Sequence, residues 1–453
     1  MIKKRNSGTP NKREALLKDK LWKLLLHLSL PGILGMVVVS LNSLVDAFFV
    51  SRLVGSDAFA GVSLTLPLFA LNTAVVGLLS SGSAILYSRA IGKEDAEVKE
   101  KLFAQVFLLT ICASLVLDLI GMCFGRPLLL FLGAGDALLG YGLPFYRWAI
   151  AGCWTSIFGL CTSGLIRAEG NTAYAMKITG GAVLINVALN PLFVGVCHLG
   201  VRGAALATIL SMFVYSLLTF LYFYSGKGYL RVRNIFRSDR RLLLAILRTG
   251  MPSLFMQINT FFRQLILFRI ATVYSSLSQL TVFTAIYRLF TFSAIPVFGI
   301  VQALQPVLGI NFGAGRMDRV TAAVRIFRSG AVMLMLLMAL PGWLFPTGLL
   351  SLLASGTVTS EATGYFRWVL LVLPMMPLAS TSIVYLQATG HGKIASRLIF
   401  SREWAIFLPI IWLSTHMLGY GGIYYGLLIE NAVYIGLVFF TASRVMRREP
   451  KRC

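Results

Sequence analysis

Residues 24–50 read LLLHLSLPGILGMVVVSLNSLVDAFFV, a run whose only acid is Asp46 and whose only other strongly polar side chains are His27 and Asn42. As a helix it would rise about 40 Å, enough to cross the ~30 Å hydrocarbon core of a bilayer. Lipid offers an open backbone no hydrogen-bond partner, so such a run spans a membrane as a helix. Eleven further stretches share its character, at about 59–87, 102–124, 141–166, 175–197, 203–224, 242–271, 281–309, 326–352, 363–386, 398–417 and 421–441. The expected fold is an all-α polytopic membrane protein with twelve transmembrane helices.

Composition excludes the alternatives. Of 453 residues, 57% are apolar and 13% charged, with mean hydropathy +0.78, against about 25% charged in a soluble domain. Disordered, collagen-like and disulfide-stapled classes need fewer apolar residues, more Gly or more Cys. The net charge of +24 would suit nucleic acid in a soluble chain, but here Lys and Arg fall in short segments between apolar runs, so no nucleic-acid partner is expected. The cysteines (Cys112, Cys123, Cys153, Cys161, Cys197, Cys453) form no CxxC pair, and five lie inside apolar runs, where they act as small hydrophobes. The apolar run after the basic start is too long for a signal peptide, so the N-terminal segment is expected to stay in the mature chain.

Loop charge sets the orientation. With a cytoplasmic N-terminus, all thirteen lysines, from Lys3 through Lys93, Lys99, Lys101, Lys177, Lys227 and Lys393 to Lys451, fall on one side, while opposite loops hold a few arginines such as Arg52, Arg126 and Arg202. The positive-inside rule then predicts a multi-pass protein of the cytoplasmic (inner) membrane with both termini in the cytoplasm.

The chain also repeats itself after about 220 residues. Pro31 opens the first span as Pro252 opens the seventh. Gly92-Lys93-Glu94-Asp95 recurs as Gly315-Arg316-Met317-Asp318, Tyr146-Arg147-Trp148 as Phe366-Arg367-Trp368, and Arg167-Ala168-Glu169-Gly170 as Gln387-Ala388-Thr389-Gly390. Six spans per copy is an even number, so both copies enter from the same side. The expected architecture is two pseudo-symmetric six-helix bundles around a central cleft, rocking to give alternating access. The divisions are a cytoplasmic segment 1–23, an N-lobe 24–225 (helices 1–6), a basic linker 226–241, a C-lobe 242–443 (helices 7–12) and a tail 444–453.

Each ionisable group inside lipid costs at least ~2.5 to 3.5 kcal/mol and is a functional candidate. Asp46 lies four residues inside the outer end of its span, with Asn42 one turn away on the same face. A sheltered carboxyl there can hold a proton reversibly; the competing reading is a structural Asp neutralised by Arg52. Asn186 and Asn190 share a face of the fifth span, and Pro191 frees a carbonyl beside them, which suits either a small cation or an interhelical amide contact. Asp118 and Glu430 read more readily as members of internal ion pairs. Arg263 and Arg288, embedded in the second half, would favour an anionic or zwitterionic substrate if they face the cleft unpaired. Met256 and Gln257 join Asn42, Arg263 and Arg288 as candidate cleft residues. No GxSxG, HExxH or GxxxxGK[ST] occurs and the four histidines are scattered, so neither an enzyme nor a cofactor is expected, and energy must come from an ion gradient or a partner.

Several segments resemble the multidrug and toxic compound extrusion family, in its bacterial branch of DinF and MepA type. They are Leu41-Asn42-Ser43-Leu44-Val45-Asp46 with Phe49-Val50 and Gly61; Arg167 to Asn171; Leu184-Ile185-Asn186-Val187-Ala188-Leu189-Asn190-Pro191-Leu192-Phe193; Gly200 to Thr208; Pro296 to Ile300, Gln302 and Gln305-Pro306; and Asn311 to Gly315. The resemblance implies a twelve-helix exporter of drugs or small organic metabolites driven by H⁺ or Na⁺ antiport; a monomer is expected, although no sequence feature sets the oligomeric state. The resemblance also assigns the coupling acid to Asp46, cation-site neighbours to Asn186 and Thr208, a polar-network residue to Tyr146 and a hinge to Pro31. Related members often carry Asp where Asn190 stands. One remaining carboxylate favours H⁺, although Na⁺ at Asp46, Asn186 and Asn190 is the alternative. A lipid-linked precursor flippase of the same superfamily and a polytopic membrane enzyme are the rival expectations.

Overall fold

The computed structural model describes residues 12–132, 134–230, 232, 238–351 and 359–448. Residues 1–11 of the expected N-terminal segment, linker residues Arg231, Arg233 and Arg237, and tail residues 449–453 lie outside the described residues. A short helix, α1 (Lys12–Lys18), precedes the first span, α2 (Leu21–Leu53). The second span is α3 (Ser56–Ser63) with α4 (Leu66–Lys93), the third α5 (Ala96–Phe131), and the fourth α6 (Asp136–Ala151) with α7 (Cys153–Ala168). The fifth is α8 (Thr172–Asn190), which widens into a π turn over Pro191–Val196, and the sixth α9 (Gly200–Tyr224). The second lobe runs through α10 (Arg240–Tyr274), α11 (Leu277–Gly313), α12 (Met317–Leu344) and a short α13 (Pro346–Ser351). It continues with α14 (Ser360–Leu370) and α15 (Val372–Ala388), then α16 (Gly392–Ser401), a π turn Arg402–Phe407, α17 (Leu408–Leu418) and α18 (Gly422–Arg448).

Among the described residues, nine helical stretches are long and apolar enough to cross a bilayer, and α6–α7, bent by 51° at Gly152, makes a tenth. Two more spans complete the twelve. α10 falls outside the apolar set because Gln257, Asn259, Arg263 and Gln264 dilute its hydropathy. The long stretch Gly392–Met446 is a hairpin of two spans: Arg402 reaches Glu430 at 2.9 Å, and Ile411 packs on Gly426, so the chain reverses at Gly419 (φ +57°). The basic residues Lys93, Lys227, Lys393 and Arg444 stand at the end of the bundle that also carries α1, called the basic end below; the opposite end is the far end.

The repeat is visible in the backbone. Left-handed residues close α4 at Glu94 (φ 61°) and α11 at Gly315 (φ 74°), and Gly170 (φ 80°) and Gly390 (φ 93°) follow the fourth and tenth spans. The pairs are 221 and 220 residues apart, matching the sequence offset.

Glycines let the lobes meet backbone to backbone over the basic half. Gly32 on α2 lies against Gly299 on α11, Gly82 on α4 against Gly250 on α10, and Gly92 against Gly313; a Cβ at Gly32 would be 3.0 Å from the Gly299 carbonyl oxygen, and one at Gly82 3.0 Å from the Gly250 nitrogen. α1 ties the same end together. Its Arg13 donates to the Ile91 and Gly92 carbonyls of the N-lobe at 3.1 and 3.0 Å. From the C-lobe, Asn311 reaches the Leu16 carbonyl at 3.1 Å and Arg316 the Leu17 carbonyl at 2.7 Å. Toward the far end the same helix stripes become exposed: Val39 and Ser43 on α2, Thr260 and Gln264 on α10, Phe292 and Arg288 on α11. The two lobes therefore form a V that is shut at the basic end and open at the far end.

Candidate functional site

Asp46 occupies the edge between two faces of α2. Gly32, Met36, Val39 and Ser43 form the stripe that meets the C-lobe and then lines the cleft, while Gly35, against Met176, faces α8. At 100° per residue Asp46 falls between them. The carboxylate is held by two amides: Asn190 Nδ2 donates to Oδ1 at 2.8 Å and Asn42 Nδ2 to Oδ2 at 3.2 Å. Asn190 also bonds the Asn186 side chain at 3.0 Å and its carbonyl at 3.1 Å. Asn186 continues outward to Thr208 and Ser211, each at 3.5 Å. Asp46, Asn42, Asn186, Asn190 and Thr208 thus form one chain of contacts across α2, α8 and α9.

Two features set this chain of contacts apart. Asn42 Oδ1 and Asn190 Oδ1 are both buried without a hydrogen-bond partner, and an orphaned buried acceptor is costly unless something else uses it. The chain also begins where α8 gives way to the π turn at Pro191, a widening that frees local backbone positions. Arg52 does not neutralise the site; its guanidinium lies over the Phe48 ring, 5.9 Å from the centroid. Among the described residues no group of three His, Cys, Asp or Glu could hold a metal ion.

Pro31 lies inside an uninterrupted α2. Tyr146 is buried against Gly121 and Gly125 and edge-on to Phe69, with ring centroids 5.5 Å apart; it stands apart from the Asp46 chain. Asp118 takes the Cys153 thiol at 3.2 Å. Gln257 packs on Gly77 at the lobe junction, and Met256 is exposed.

Arg263 is not an open cleft cation, and the internal ion pair expected of Glu430 is present. Arg263 donates to Glu403 at 2.9 to 3.1 Å and to Glu430 at 3.0 and 3.1 Å, and stacks over Phe407 at 4.3 Å. Arg402 reaches the same Glu430, and Asn431 bridges Arg402 and Glu430. Two arginines and two glutamates sum to zero. The physical reason is the hairpin of α16–α18, which brings both acids to the face of α10 that packs inside the C-lobe.

A second buried polar cluster at the basic end had no clear sequence signal. Glu169, 1% exposed, accepts from the Tyr222 hydroxyl at 2.7 Å, from the Tyr229 backbone at 2.8 Å and from Tyr87. Burial pushes this carboxyl up to about 7 despite the donors, which pull the other way. Only its place in the repeated Arg167–Gly170 segment hinted at a role.

The fold has counterparts among known proteins. The MatE profile matches residues 31–192 and 252–426, once in each lobe. The chain belongs to the MatE family. This MatE protein is 24% identical to the multidrug export protein MepA of Staphylococcus aureus, over 92% of both chains. It is 26% identical to an FAD transporter of Shewanella oneidensis, over 96% of this chain and 97% of that one. A structure of a multidrug resistance MATE family transporter in an outward-facing conformation matches with TM-score 0.89 and 24% identity, covering 98% of this chain and all of that one. MatE proteins are transporters, so the enzyme alternative is set aside at the level of the family.

Proposed function

We propose that this MatE protein is a secondary active exporter of drugs or small organic metabolites, driven by antiport of H⁺ with Asp46 as the coupling carboxylate. The observation that carries this reading is the carboxylate held by two amides whose own oxygens are orphaned. An ionised Asp46 needs donors and has them in Asn190 Nδ2 and Asn42 Nδ2. A protonated Asp46 needs an acceptor, and rotation of either amide by half a turn would present its unused Oδ1. Proton binding therefore rewrites the hydrogen bonds between α2 and α8, and with them the tilt of α2 against the C-lobe, with Pro31 as the bending point.

The amide geometry also favours H⁺ over Na⁺. Na⁺ requires oxygens around it, and here both amides aim nitrogen at the carboxylate. The basic end is assigned to the cytoplasm on loop charge, which makes the V outward-open and the host membrane the inner membrane. In the cycle, protonation from outside accompanies substrate release, the lobes rock to open the basic end, and loss of the proton to the cytoplasm resets the site for the next substrate. No partner beyond substrate and bilayer is needed, and the unit is the monomer. The neutralised Arg263 cluster weighs against a lipid-linked precursor flippase, which would need a strongly cationic cleft.

Uptake into inverted vesicles under separately imposed ΔpH and Na⁺ gradients tests the reading. ΔpH should drive transport and Asp46→Asn should abolish the drive while the protein still reaches the membrane. Transport driven by Na⁺ alone, or retained gradient dependence in the variant, would reject it.

A further inference from the structure

Most embedded arginines of the C-lobe have polar partners; Arg328 donates to Thr381 and Ser382 at 3.1 and 2.9 Å. Arg263 and Arg402 are cancelled by Glu403 and Glu430, whereas Arg288 on α11 is exposed and makes no ion pair or hydrogen bond among the described residues. The helical wheel shows where it points. The buried face of α11 carries Phe283, Ile286, Ala294 and Val297, and Arg288, Phe292, Ile295 and Gly299 fall on the opposite side. That side is the one Gly299 uses to meet Ile33 of α2, so above the contact it faces the gap between the lobes.

Height follows from register. α2 and α11 run antiparallel, so counting outward from the Gly32–Gly299 contact brings Phe292 level with Val39 and Arg288 level with Ser43. Asp46 is one turn further out on the opposite wall. Phe292, 60% exposed, is four residues from Arg288 and therefore directly beneath it on the same face. The wall thus offers a fixed guanidinium above an open aromatic ring, with Thr260 and Gln264 of α10 exposed beside the same gap.

Resting on the exporter reading above, we infer that Arg288 is a substrate-recognition residue and that the cleft selects flat aromatic substrates bearing an anionic group, a carboxylate or phosphate, which Arg288 holds while the ring stacks on Phe292. Arg is suited to this task because its planar fork meets carboxylate and phosphate bidentately and remains charged at any physiological pH. A cationic group elsewhere on the same substrate would lie toward Asp46, where it competes with the proton; coupling and recognition then act on opposite walls.

Two dyes isolate the anionic group: rhodamine 110 carries a free carboxylate, and rhodamine 123 is its methyl ester. Fluorescence anisotropy with the purified full-length protein measures their binding without relying on transport. Wild type should bind rhodamine 110 about tenfold or more tightly than rhodamine 123, the scale of one charge-assisted contact. Arg288→Gln should erase that preference by loosening rhodamine 110 without loosening rhodamine 123, and Arg288→Lys should keep part of it. Equal affinity of wild type for both dyes, or equal loss of both in Arg288→Gln, overturns the inference. Gradient-driven efflux of the same dyes is scored separately: an intact binding preference without gradient-driven efflux would reject the exporter reading and leave the recognition role standing.

Discussion

Replacing Gly250 by alanine places a methyl group where the lobes touch. Its carbon would sit 2.8 Å from the Leu78 carbonyl carbon and 3.2 Å from the Leu78 Cα, with the carbonyl oxygen closer still. Carbon atoms pack at about 3.5 to 4.0 Å, so α4 and α10 must separate by roughly 0.8 Å or more. All three neighbours are backbone, and no side chain can rotate away. Overpacking of this kind costs about 1–3 kcal/mol. The cost falls on the conformation closed at the basic end and is relieved when that end opens, so the equilibrium between the two should shift about 5- to 150-fold toward basic-end opening. Spin labels at Gly135 and Ser360, exposed positions at the far ends of the two lobes, in a cysteine-depleted background, report the shift by double electron–electron resonance. The far-end distance distribution should gain a shorter component in Gly250→Ala. An unchanged distribution in a folded variant would refute the claim that the lobes rock about this contact.

Three further outcomes follow from the charged clusters. Glu169 binds its proton more tightly in the folded state, about 7 against 4.5 for the free side chain; its contribution is complete below about pH 4.5 and is lost as pH rises through 7, a swing of about 3 kcal/mol. Glu169→Gln should therefore flatten the fall in detergent melting temperature between pH 5 and 8, and a slope identical to wild type would contradict the cluster's protonation. Arg263→Gln leaves Glu403 buried without its ion-pair partner, while Glu430 keeps Arg402, and should cost about 3–5 kcal/mol, read as loss of folded protein by size-exclusion chromatography; adding Glu403→Gln should recover much of it, and no recovery would count against the cluster as the cause. Asn190→Asp puts a second carboxylate beside Asp46 and should confer Na⁺-stimulated transport, measured under a Na⁺ gradient alone; continued indifference to Na⁺ would show that charge at position 190 does not set the ion.

Much of the fold was legible because lipid allows few solutions. The apolar runs marked the spans, and the 220-residue offset recurs in the backbone, in the left-handed residues at Glu94 and Gly315. Span boundaries were less legible: α2, α4, α5 and α11 extend several residues beyond their apolar cores, since a helix continues past the bilayer wherever neighbouring helices support it. The Gly152 bend in the fourth span left no periodic trace. At the site, the Asn186–Asn190–Pro191 spacing and the lone Asp46 could be read as candidates from residue types alone, because amides and acids in lipid are rare. Glu430 could be read as a member of an internal ion pair, but the second acid on Arg263, Glu403, could not. Glu403 and Glu430 are 140 and 167 residues away in the chain, and only the hairpin of α16–α18 brings them to it. The bridging role of α1 was equally hidden, since its contacts use backbone carbonyls that carry no sequence signature.

Substrate-induced proton release from purified protein in weakly buffered detergent solution tests the coupling role of Asp46 most directly. Titrated with whichever rhodamine binds wild type, that protein should acidify the solution as substrate displaces the proton, while Asp46→Asn binds the dye without acidification. Equal proton release from both proteins would place the exchangeable proton on another group and contradict the account.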